Sequence, residues 1–314
     1  MKGHLSDYDR RYNYIILAER SYLDNKMGKA IKFYLKALNF PGDKDETIEI
    51  LYNIAFLYSK VGEREKSLKA YERIIKEDEK EAGAYFEMAS IYEKIGNKEK
   101  ALKYYFNAVK LNEEYNRAYF YIANIYDEIG KKDEAIKYYK KVIDLIPNDY
   151  VAYNNLGSIY EELNQYDKAY DMIKESIKIN PEYYKALFNM GVIEKKRKNL
   201  KKSVEYYNKS IEKNKTYPYS FLNKSVIYIE RGNIKGAIKV LTEGIKYNPH
   251  AEYLYYNRAC CYSKIKKLDE ALNDLKKAII LYPNFIDIIK LDKDLENLYK
   301  DSRFISLINK KFRV

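Results

Sequence analysis

The sequence predicts an all-α solenoid in which about eight helical hairpins follow one another along the chain. Two observations carry this prediction. In residues 117–147, apolar residues fall at helical spacing in two runs that Gly130 separates and Pro147 ends. Small residues also recur every 34 positions, which indicates that this hairpin is repeated. Because stacked repeats share one continuous core, the 314 residues need not divide into ordinary globular domains.

Two ladders of small residues define the repeat. Small side chains allow two helices to cross closely, so each pair of rungs marks one hairpin. The rungs in the first helices are Ala18, Ala55, Ala89, Ala123, Gly157, Gly191, Ser225 and Ala259. The rungs in the second helices are Ala30, Ser67, Ala101, Ala135, Ala169, Ser203, Ala237 and Ala271. The polar segment 41–45 accommodates three extra residues between the first two hairpins.

The ladders divide the chain in order. Residues 1–11 form a polar lead-in, and residues 284–314 form a C-terminal cap with a short terminal helix. The eight predicted hairpins between them span residues 12–46, 47–80, 81–114, 115–148, 149–182, 183–216, 217–250 and 251–283.

The tail is predicted to close the solenoid instead of forming a ninth hairpin. Lys293 and Ile305 stand where the next small rungs would fall, and a large residue prevents the close crossing. Apolar spacing over Phe285–Tyr299 predicts one helix that covers the last apolar face of the stack. Asp301 is expected to cap a short final helix that carries Phe304.

The period and its content resemble the tetratricopeptide repeat (TPR) family, in particular multi-repeat arrays of prokaryotic or archaeal type. The family's terminal proline has counterparts here, and so does its mid-helix aromatic residue, as in Pro147, Pro181, Pro249, Pro283, Tyr92, Tyr126 and Tyr160. Glu194 departs from the aromatic position, while Lys198 and Lys266 replace the usual glycine. The resemblance implies a right-handed superhelix whose first helices line a concave groove for a protein partner.

Composition favours a folded protein of a reducing compartment. Hydrophobic residues make up 46% of the chain and charged residues 33%, which is typical of globular proteins. No apolar run approaches the ~20 residues that span a bilayer, and the first residues lack the apolar core of a signal peptide. The cysteines, Cys260 and Cys261, offer no disulfide framework. We therefore expect a cytoplasmic location and no membrane contact.

The residues that catalysis and metal binding need are scarce. The chain has two histidines, His4 and His250, so a zinc site is not expected. Gly28-Lys29 resembles the end of a phosphate-binding loop, but Leu23 and Ala30 replace the glycine and hydroxyl residue that the motif requires. We expect a protein that is not an enzyme, takes no small-molecule substrate and uses no cofactor.

The expected binding site lies along the first helices. In the family, the residue after the large opening one faces the groove, which here selects Tyr52, Phe86, Phe120, Phe188 and Tyr256 for apolar contact. The next position carries amides that could pair with the backbone of an extended peptide, at Asn53, Asn155, Asn189, Asn223 and Asn257. Alternatively, these amides bond neighbouring helices or merely persist from duplication of the repeat.

Charge suggests an acidic partner. The net charge is +12, and residues 185–215 are basic whereas residues 144–171 are acidic. Arg117, Lys185 and Lys196 are expected to contact acidic groups of the partner. The simpler interpretation is that Lys195 to Lys198 are cations at a helix carboxyl end, where the helix dipole favours them.

The predicted function is a non-catalytic scaffold that binds an extended or helical segment of a partner protein. One alternative is a structural protein that self-assembles into homo-oligomers through an exposed Tyr-rich surface or the tail. A less favoured alternative is RNA binding, because tyrosines and basic residues interleave along the chain. The carboxylate clamp of chaperone-binding TPR proteins is disfavoured, because the positions after the opening residues hold no lysine.

Overall fold

The computed structural model describes residues 6–309, and its secondary structure over this range is helical without strands. The chain divides into two compact units, Met1–Pro147 and Asn148–Val314, which we call unit 1 and unit 2. In both units, each first helix packs mainly on the second helix of its own hairpin. The predicted all-α fold of consecutive hairpins is confirmed.

Over its described residues, unit 1 contains four hairpins. Each hairpin pairs an odd-numbered first helix with the even-numbered helix that follows it. The helices are α1 (Asp7–Leu23), α2 (Met27–Ala37), α3 (Lys44–Lys60), α4 (Arg64–Glu77), α5 (Ala82–Lys94), α6 (Lys98–Leu111), α7 (Asn116–Glu128) and α8 (Lys132–Leu145).

Unit 2 contains four further hairpins and a terminal segment, as far as the structure describes it. The hairpin helices are α9 (Tyr150–Glu162), α10 (Tyr166–Ile179), α11 (Tyr184–Lys196), α12 (Leu200–Lys213), α13 (Pro218–Glu230), α14 (Ile234–Tyr247), α15 (Glu252–Lys264) and α16 (Leu268–Leu281). The terminal segment comprises α17 (Phe285–Ile289), a 3-10 helix (Lys293–Leu298) and α18 (Ser302–Asn309).

The small residues lie where the two helices of each hairpin cross, and all sixteen rungs are buried. Two serine rungs also bond the opposite ladder: Ser67 Oγ donates to the carbonyl of Ala55 at 2.8 Å, and Ser203 Oγ to that of Gly191 at 2.6 Å. A Cβ atom at Gly191 would come within 2.6 Å of the Tyr207 ring. The predicted close crossing is therefore confirmed.

Each hairpin turns through one residue in the left-handed conformation. Glycine has this role at four turns, where φ lies between +73° and +82°. At the other four turns the left-handed residue is not glycine, and φ lies between 56° and 64°; these residues are Asn25, Asn164, Lys198 and Lys266. Lysine has a Cβ that the left-handed region crowds, so Lys198 and Lys266 hold strained backbone.

The first helix begins earlier than the sequence predicts. Ser6 Oγ accepts from the backbone N of Asp9 at 3.1 Å and the Asp9 carboxylate accepts from Ser6 N at 3.0 Å, a capping box that starts α1 at Asp7. Arg11 is only 2% exposed and donates to Phe40 O, Glu46 and Thr47 Oγ1. The predicted lead-in is therefore wrong for residues 7–11, while residues 1–5 lie outside the described residues.

The tail covers the end of the stack, as expected. The cap residues Ile289, Leu295, Leu298 and Phe304 are buried in one cluster with residues of α15 and α16 such as Leu275. Asp301 Oδ1 accepts from the backbone N of Arg303 at 2.9 Å, consistent with its predicted capping of α18. Residues 310–314 of the predicted cap lie outside the described residues.

The prediction of one helix over Phe285–Tyr299 is wrong. The helix ends at Ile289, and Asp292 adopts an extended conformation before the 3-10 helix. The Asp292 carboxylate accepts a hydrogen bond from the backbone N of Asp294 at 2.9 Å and another from the hydroxyl of Tyr256 in α15. These bonds to the turn and to a distant helix explain the break.

Candidate functional site

A cavity of about 810 Å3 lies on unit 1 along α3 and α5, the first helices of the second and third hairpins. Two of the predicted binding residues, Tyr52 and Asn53, are in its wall. We call it the unit 1 cavity and define it by its lining residues Tyr52, Asn53, Phe56, Ser59, Lys60, Tyr71, Gly83, Glu87, Lys94 and Tyr115.

Helical spacing brings these side chains to one face. Tyr52, Phe56 and Ser59 are four and three positions apart on α3, so they follow one side of the helix. Glu87 and Lys94 are two turns apart on α5 in the same way. The sequence alternates these residues with the core positions Leu51, Ile54 and Ala55, which are buried. One amphipathic pattern thus supplies both the core and the cavity wall.

The aromatic end of the cavity is held by Tyr52. Its hydroxyl donates to a Glu81 carboxylate oxygen at 2.9 Å, and its ring meets Tyr71 edge-on with centroids 5.9 Å apart. A Cβ atom at Gly83 would approach the Tyr52 hydroxyl to 2.7 Å, so this position leaves room for the ring. Burial, followed by the bond to Glu81, raises the pKa of Tyr52, which therefore stays a neutral donor.

A carboxylate faces this aromatic end. Burial raises the pKa of both Tyr71 and Tyr115. At Tyr115 the positive charge of Arg117 opposes this increase, whereas the charge of Glu87 adds to it at both residues. The half-buried Glu87 makes no hydrogen bond or ion pair within the described residues. The nearby Arg117 instead places its guanidinium 4.7 Å from the ring centre of Phe86.

The other end of the cavity is cationic. Lys60 and Lys94 are exposed and make no ion pair in the part of the chain that the structure describes. The Lys60 ammonium lies 5.3 Å from the ring centre of Phe56, which is 41% exposed. The cavity lining therefore joins an aromatic end that contains the Glu87 carboxylate to an end that contains two ammonium groups.

The predicted role of Phe86 is wrong. This side chain is 2% exposed and packs on Tyr105 and Tyr115 at centroid distances of 5.4 and 5.1 Å, so a partner could not contact it. Phe120, in α7 of the same unit, is half-buried and meets Tyr139 edge-on at 5.7 Å. Arg117 remains exposed, although its guanidinium covers Phe86.

The predicted amides of unit 2 lie in hydrogen bonds within the protein. Asn189 Nδ2 donates to Asn154 Oδ1 and to Ser158 Oγ of the preceding first helix, both at 2.9 Å. Asn154, only 4% exposed, donates to Asn155 at 3.1 Å. Asn223 and Asn257 bond carbonyls of their own helices, Tyr219 O at 3.0 Å and Tyr253 O at 2.7 Å. For Asn189 the geometry agrees with the alternative interpretation, a bond to a neighbouring helix.

The predicted aromatic residues of unit 2 pack on structure that follows them in the chain. Phe188 is half-buried between Tyr207 and Tyr217, at centroid distances of 5.7 and 5.3 Å. Tyr256 stacks on Phe285 at 5.1 Å, and its hydroxyl donates to Asp292 of the tail. The cap thus contacts the ring and the hydroxyl of the half-buried Tyr256, whose partner contact stays a prediction.

The acidic and basic blocks of unit 2 pair with each other. Lys196 lies 3.7 Å from Glu161, and Arg197 lies 3.5 Å from Asp167. Lys195 makes a shorter ion pair of 2.7 Å with Glu230 of the next hairpin. Lys185 is exposed and has no ion pair among the described residues. The basic block thus meets acidic partners within the unit, which weakens the charge argument for an acidic ligand there.

A metal-binding cluster or a reactive cysteine would give the described residues reactive chemistry. No group of three or more His, Cys, Asp or Glu side chains is placed there to hold a metal ion. Cys260 and Cys261 are buried, and burial raises the pKa of Cys261 to about 11, so its thiol stays protonated near neutral pH. Over residues 6–309, every helix is too short or too polar to cross a bilayer.

Eight of the ten lining residues were not predicted from the sequence, and four of them carry the charge and the exposed ring of the cavity: Phe56, Lys60, Glu87 and Lys94. Helical spacing could have found Phe56, which follows Tyr52 by one turn. The repeat register could have found Glu87, because it occupies the position of Asn53 one hairpin later. Because Glu87 has a carboxylate where other hairpins have an amide, it was not counted among the predicted binding residues.

Family models described as tetratricopeptide repeat match seven segments and together cover most of the chain. The matched segments are residues 48–81, 82–115, 117–149, 150–183, 184–216, 218–250 and 253–285. The chain belongs to the tetratricopeptide repeat family. It is accordingly a protein-interaction scaffold, and the predicted family is confirmed. No curated protein matches the chain.

Solved structures share the fold at low sequence identity. A tetratricopeptide repeat protein from Parabacteroides merdae is 18% identical with a TM-score of 0.62, over 80% of this chain and 98% of that one. PilF of Pseudomonas aeruginosa is 18% identical with a TM-score of 0.57, and the match covers 70% of this chain and 97% of the PilF chain. A chain of the APC/C hetero-tetramer Cut9-Hcn1 is 15% identical with a TM-score of 0.57, and the match covers 91% of this chain and 54% of that one.

Proposed function

We propose that the chain binds an extended or helical segment of a partner protein in the unit 1 cavity, without catalysing a reaction. The observation that supports this most is the combination of a sizeable cavity with an exposed aromatic ring, Phe56, at its wall. In the family that the chain belongs to, first helices carry the ligand-binding face. The unit 1 cavity lies along two first helices, α3 and α5.

The dimensions fit a short stretch of polypeptide. The lining residues on α5 run from Gly83 to Lys94, which corresponds to about 16 Å of helix. An extended chain advances about 3.3 Å per residue, so about five residues would lie along the cavity. Asn53 and Ser59 offer polar groups for the backbone of such a segment, and Tyr52 and Phe56 offer apolar surface.

The proposal can be tested with an unbiased peptide library displayed against the full chain. The dissociation constant of an enriched peptide is then measured for the wild type and for Phe56→Ala. Truncating an aromatic anchor at the centre of an interface costs about 2 kcal/mol or more, so we expect at least about 30-fold weaker binding. Leu111→Ala is the matched control, because Leu111 is 40% exposed and lies in unit 1 outside the cavity. Equal weakening by both variants, or by neither, would contradict the proposal.

Other contacts remain predictions. Within unit 1, Phe120 would extend the binding face along the first helices, and Arg117 would meet acidic groups of the segment. Unit 2 would offer a binding face of its own, with the residues Asn155, Asn223, Asn257, Phe188, Lys185 and Lys196. A cytoplasmic location is likewise a prediction from composition. We do not propose RNA binding, because tyrosines stack on one another, as Tyr92 does on Tyr104 at 5.3 Å, and this removes platforms for bases.

A second candidate function is self-association through the terminal segment. Its apolar side chains are exposed at Ile288 and Leu291, the latter to 83%, and Tyr282 lies close by in the sequence. A second copy could cover them. Light scattering at several protein concentrations tests this, with Leu291→Lys as the variant. A mass that rises with concentration for the wild type and not for the variant would support self-association, and a constant monomer mass would exclude it.

A further inference from the structure

We infer that the unit 1 cavity selects a segment with a basic side chain and, about three residues away, an acidic side chain. The inference rests on the proposed function, because it specifies the ligand of the same cavity. It differs from the expectation of a simply acidic partner.

The aromatic end fits a cation. Glu87 lines the cavity together with Tyr71 and Tyr115, and Tyr52 completes that end of the wall. In addition to burial, the charge of Glu87 raises the pKa of both Tyr71 and Tyr115, in agreement with this placement. Glu87 has no ion-pair partner among the described residues. An ammonium or guanidinium group placed there would meet a carboxylate and aromatic faces together, and both attract a cation in a partly desolvated site.

The cationic end fits a carboxylate. Lys60 and Lys94 project from successive first helices and line the same cavity. Neither ammonium is neutralised within the described part of the chain. Two lysines with free ammonium groups can hold one carboxylate from two sides, and Ser59 adds a hydroxyl donor beside them.

The geometry of α5 sets the spacing between the two charges. Glu87 and Lys94 are seven positions apart, which is about 10 Å along a helix. At about 3.3 Å per residue, an extended segment covers this distance in about three residues. Like charges reject the wrong ligands, because an acidic group would face Glu87 and a basic group would face Lys60 and Lys94.

The test uses eight-residue peptides, acetylated and amidated at their ends, in an otherwise uncharged sequence taken from a library peptide. Lys-Ala-Ala-Glu and Glu-Ala-Ala-Lys cores cover both chain directions, and each charge is replaced by Gln in turn. Calorimetric titration of the full chain at low salt gives the dissociation constants. We expect one doubly charged peptide to bind about tenfold more tightly than either of its Gln versions.

Variants assign each preference to its charge. Glu87→Gln should remove the preference for Lys over Gln and leave the preference for Glu, whereas Lys60→Gln with Lys94→Gln should do the opposite. Glu87→Lys should favour Glu over Lys at the aromatic end. Glu72→Gln is the control, because Glu72 is an exposed residue of α4 outside the cavity. Peptides that bind without a charge preference, or a Lys preference that survives Glu87→Gln, would overturn the inference and leave the proposed function intact. Failure of every library peptide to bind would overturn both.

Discussion

Asn189 in α11 donates its side-chain amide to Asn154 in α9, one hairpin earlier, over 2.9 Å. The same nitrogen also bonds Ser158 at 2.9 Å. Asn223, one repeat later, bonds the carbonyl of Tyr219 in its own helix and makes no bond to another hairpin within residues 6–309. Two residues with the same repeat register therefore have different roles: the first links two hairpins, and the second leaves its amide at the surface of one helix.

This difference predicts unequal stability effects. Asn189→Ala removes bonds to Asn154 and Ser158, which leaves the buried Asn154 oxygen without its donor, so we expect a loss of about 1–2 kcal/mol of unfolding free energy. Asn223→Ala should change it by less than about 0.5 kcal/mol. Urea unfolding followed by circular dichroism measures both. Equal effects of the two variants would show that the link between hairpins adds no stability.

A buried ion pair distinguishes the last hairpin of unit 2. Arg258 donates two hydrogen bonds of 2.7 Å to the Asp274 carboxylate. Other hairpins carry apolar residues at the equivalent positions: Met190 corresponds to Arg258, and Val240 corresponds to Asp274. Asp274→Val should cost about 3 kcal/mol, because it leaves the guanidinium buried without its partner. Arg258→Met combined with Asp274→Val should return stability to within about 1 kcal/mol of the wild type. A double variant as unstable as the single one would disprove this compensation.

The strained turns predict substitutions that stabilise the chain. Lys198 and Lys266 have φ values of 64° and 59°, where glycine carries no Cβ penalty. Lys198→Gly and Lys266→Gly should each raise the unfolding free energy by about 1 kcal/mol. Lys201→Gly, in the first turn of α12, provides the control and should lower it by a similar amount. If Lys198→Gly also destabilised the protein, the left-handed strain would not be the controlling factor.

Alkaline pH should weaken the fold. Burial raises the pKa of Tyr34, Tyr183 and Tyr217 from 10.0 to about 12. Between these two values the unfolded state loses its phenolic protons before the folded state does, so the stability that these residues contribute falls as pH rises from 10 to about 12. Below pH 10 the effect should be absent. Urea unfolding across this range checks the sign, and a stability that stayed flat or rose would contradict it.

Much of the fold could be predicted because the closest helix crossings accept only small residues. Ala123 and Ala135 report a contact within one hairpin, and the repeat carries that information along the chain. The break in the tail could not be predicted in this way. Asp292 interrupts an apolar pattern that is helical by itself, and it does so by accepting a bond from Tyr256, a residue 36 positions away.

The site was harder to predict than the fold. The position of Phe86 suggests a groove residue, but Tyr115 and Arg117 from the next hairpin cover its ring. Tyr52 occupies the same repeat position and lines the cavity, because Gly83 on the neighbouring helix leaves it space. Exposure at equivalent positions therefore depends on what the following hairpin places against them, which one repeat alone does not reveal.

The central claim is that a partner segment lies in the unit 1 cavity, and photo-cross-linking tests it most directly. A photoreactive phenylalanine derivative replaces Phe56 in one preparation and Leu111, of nearly equal exposure, in another. Each is irradiated with a peptide enriched from the library, and the cross-linked products are mapped by mass spectrometry. We predict a peptide adduct at position 56 that unlabelled peptide competes away, and none at position 111. Adducts at 111, or at neither position while the peptide binds, would contradict the account.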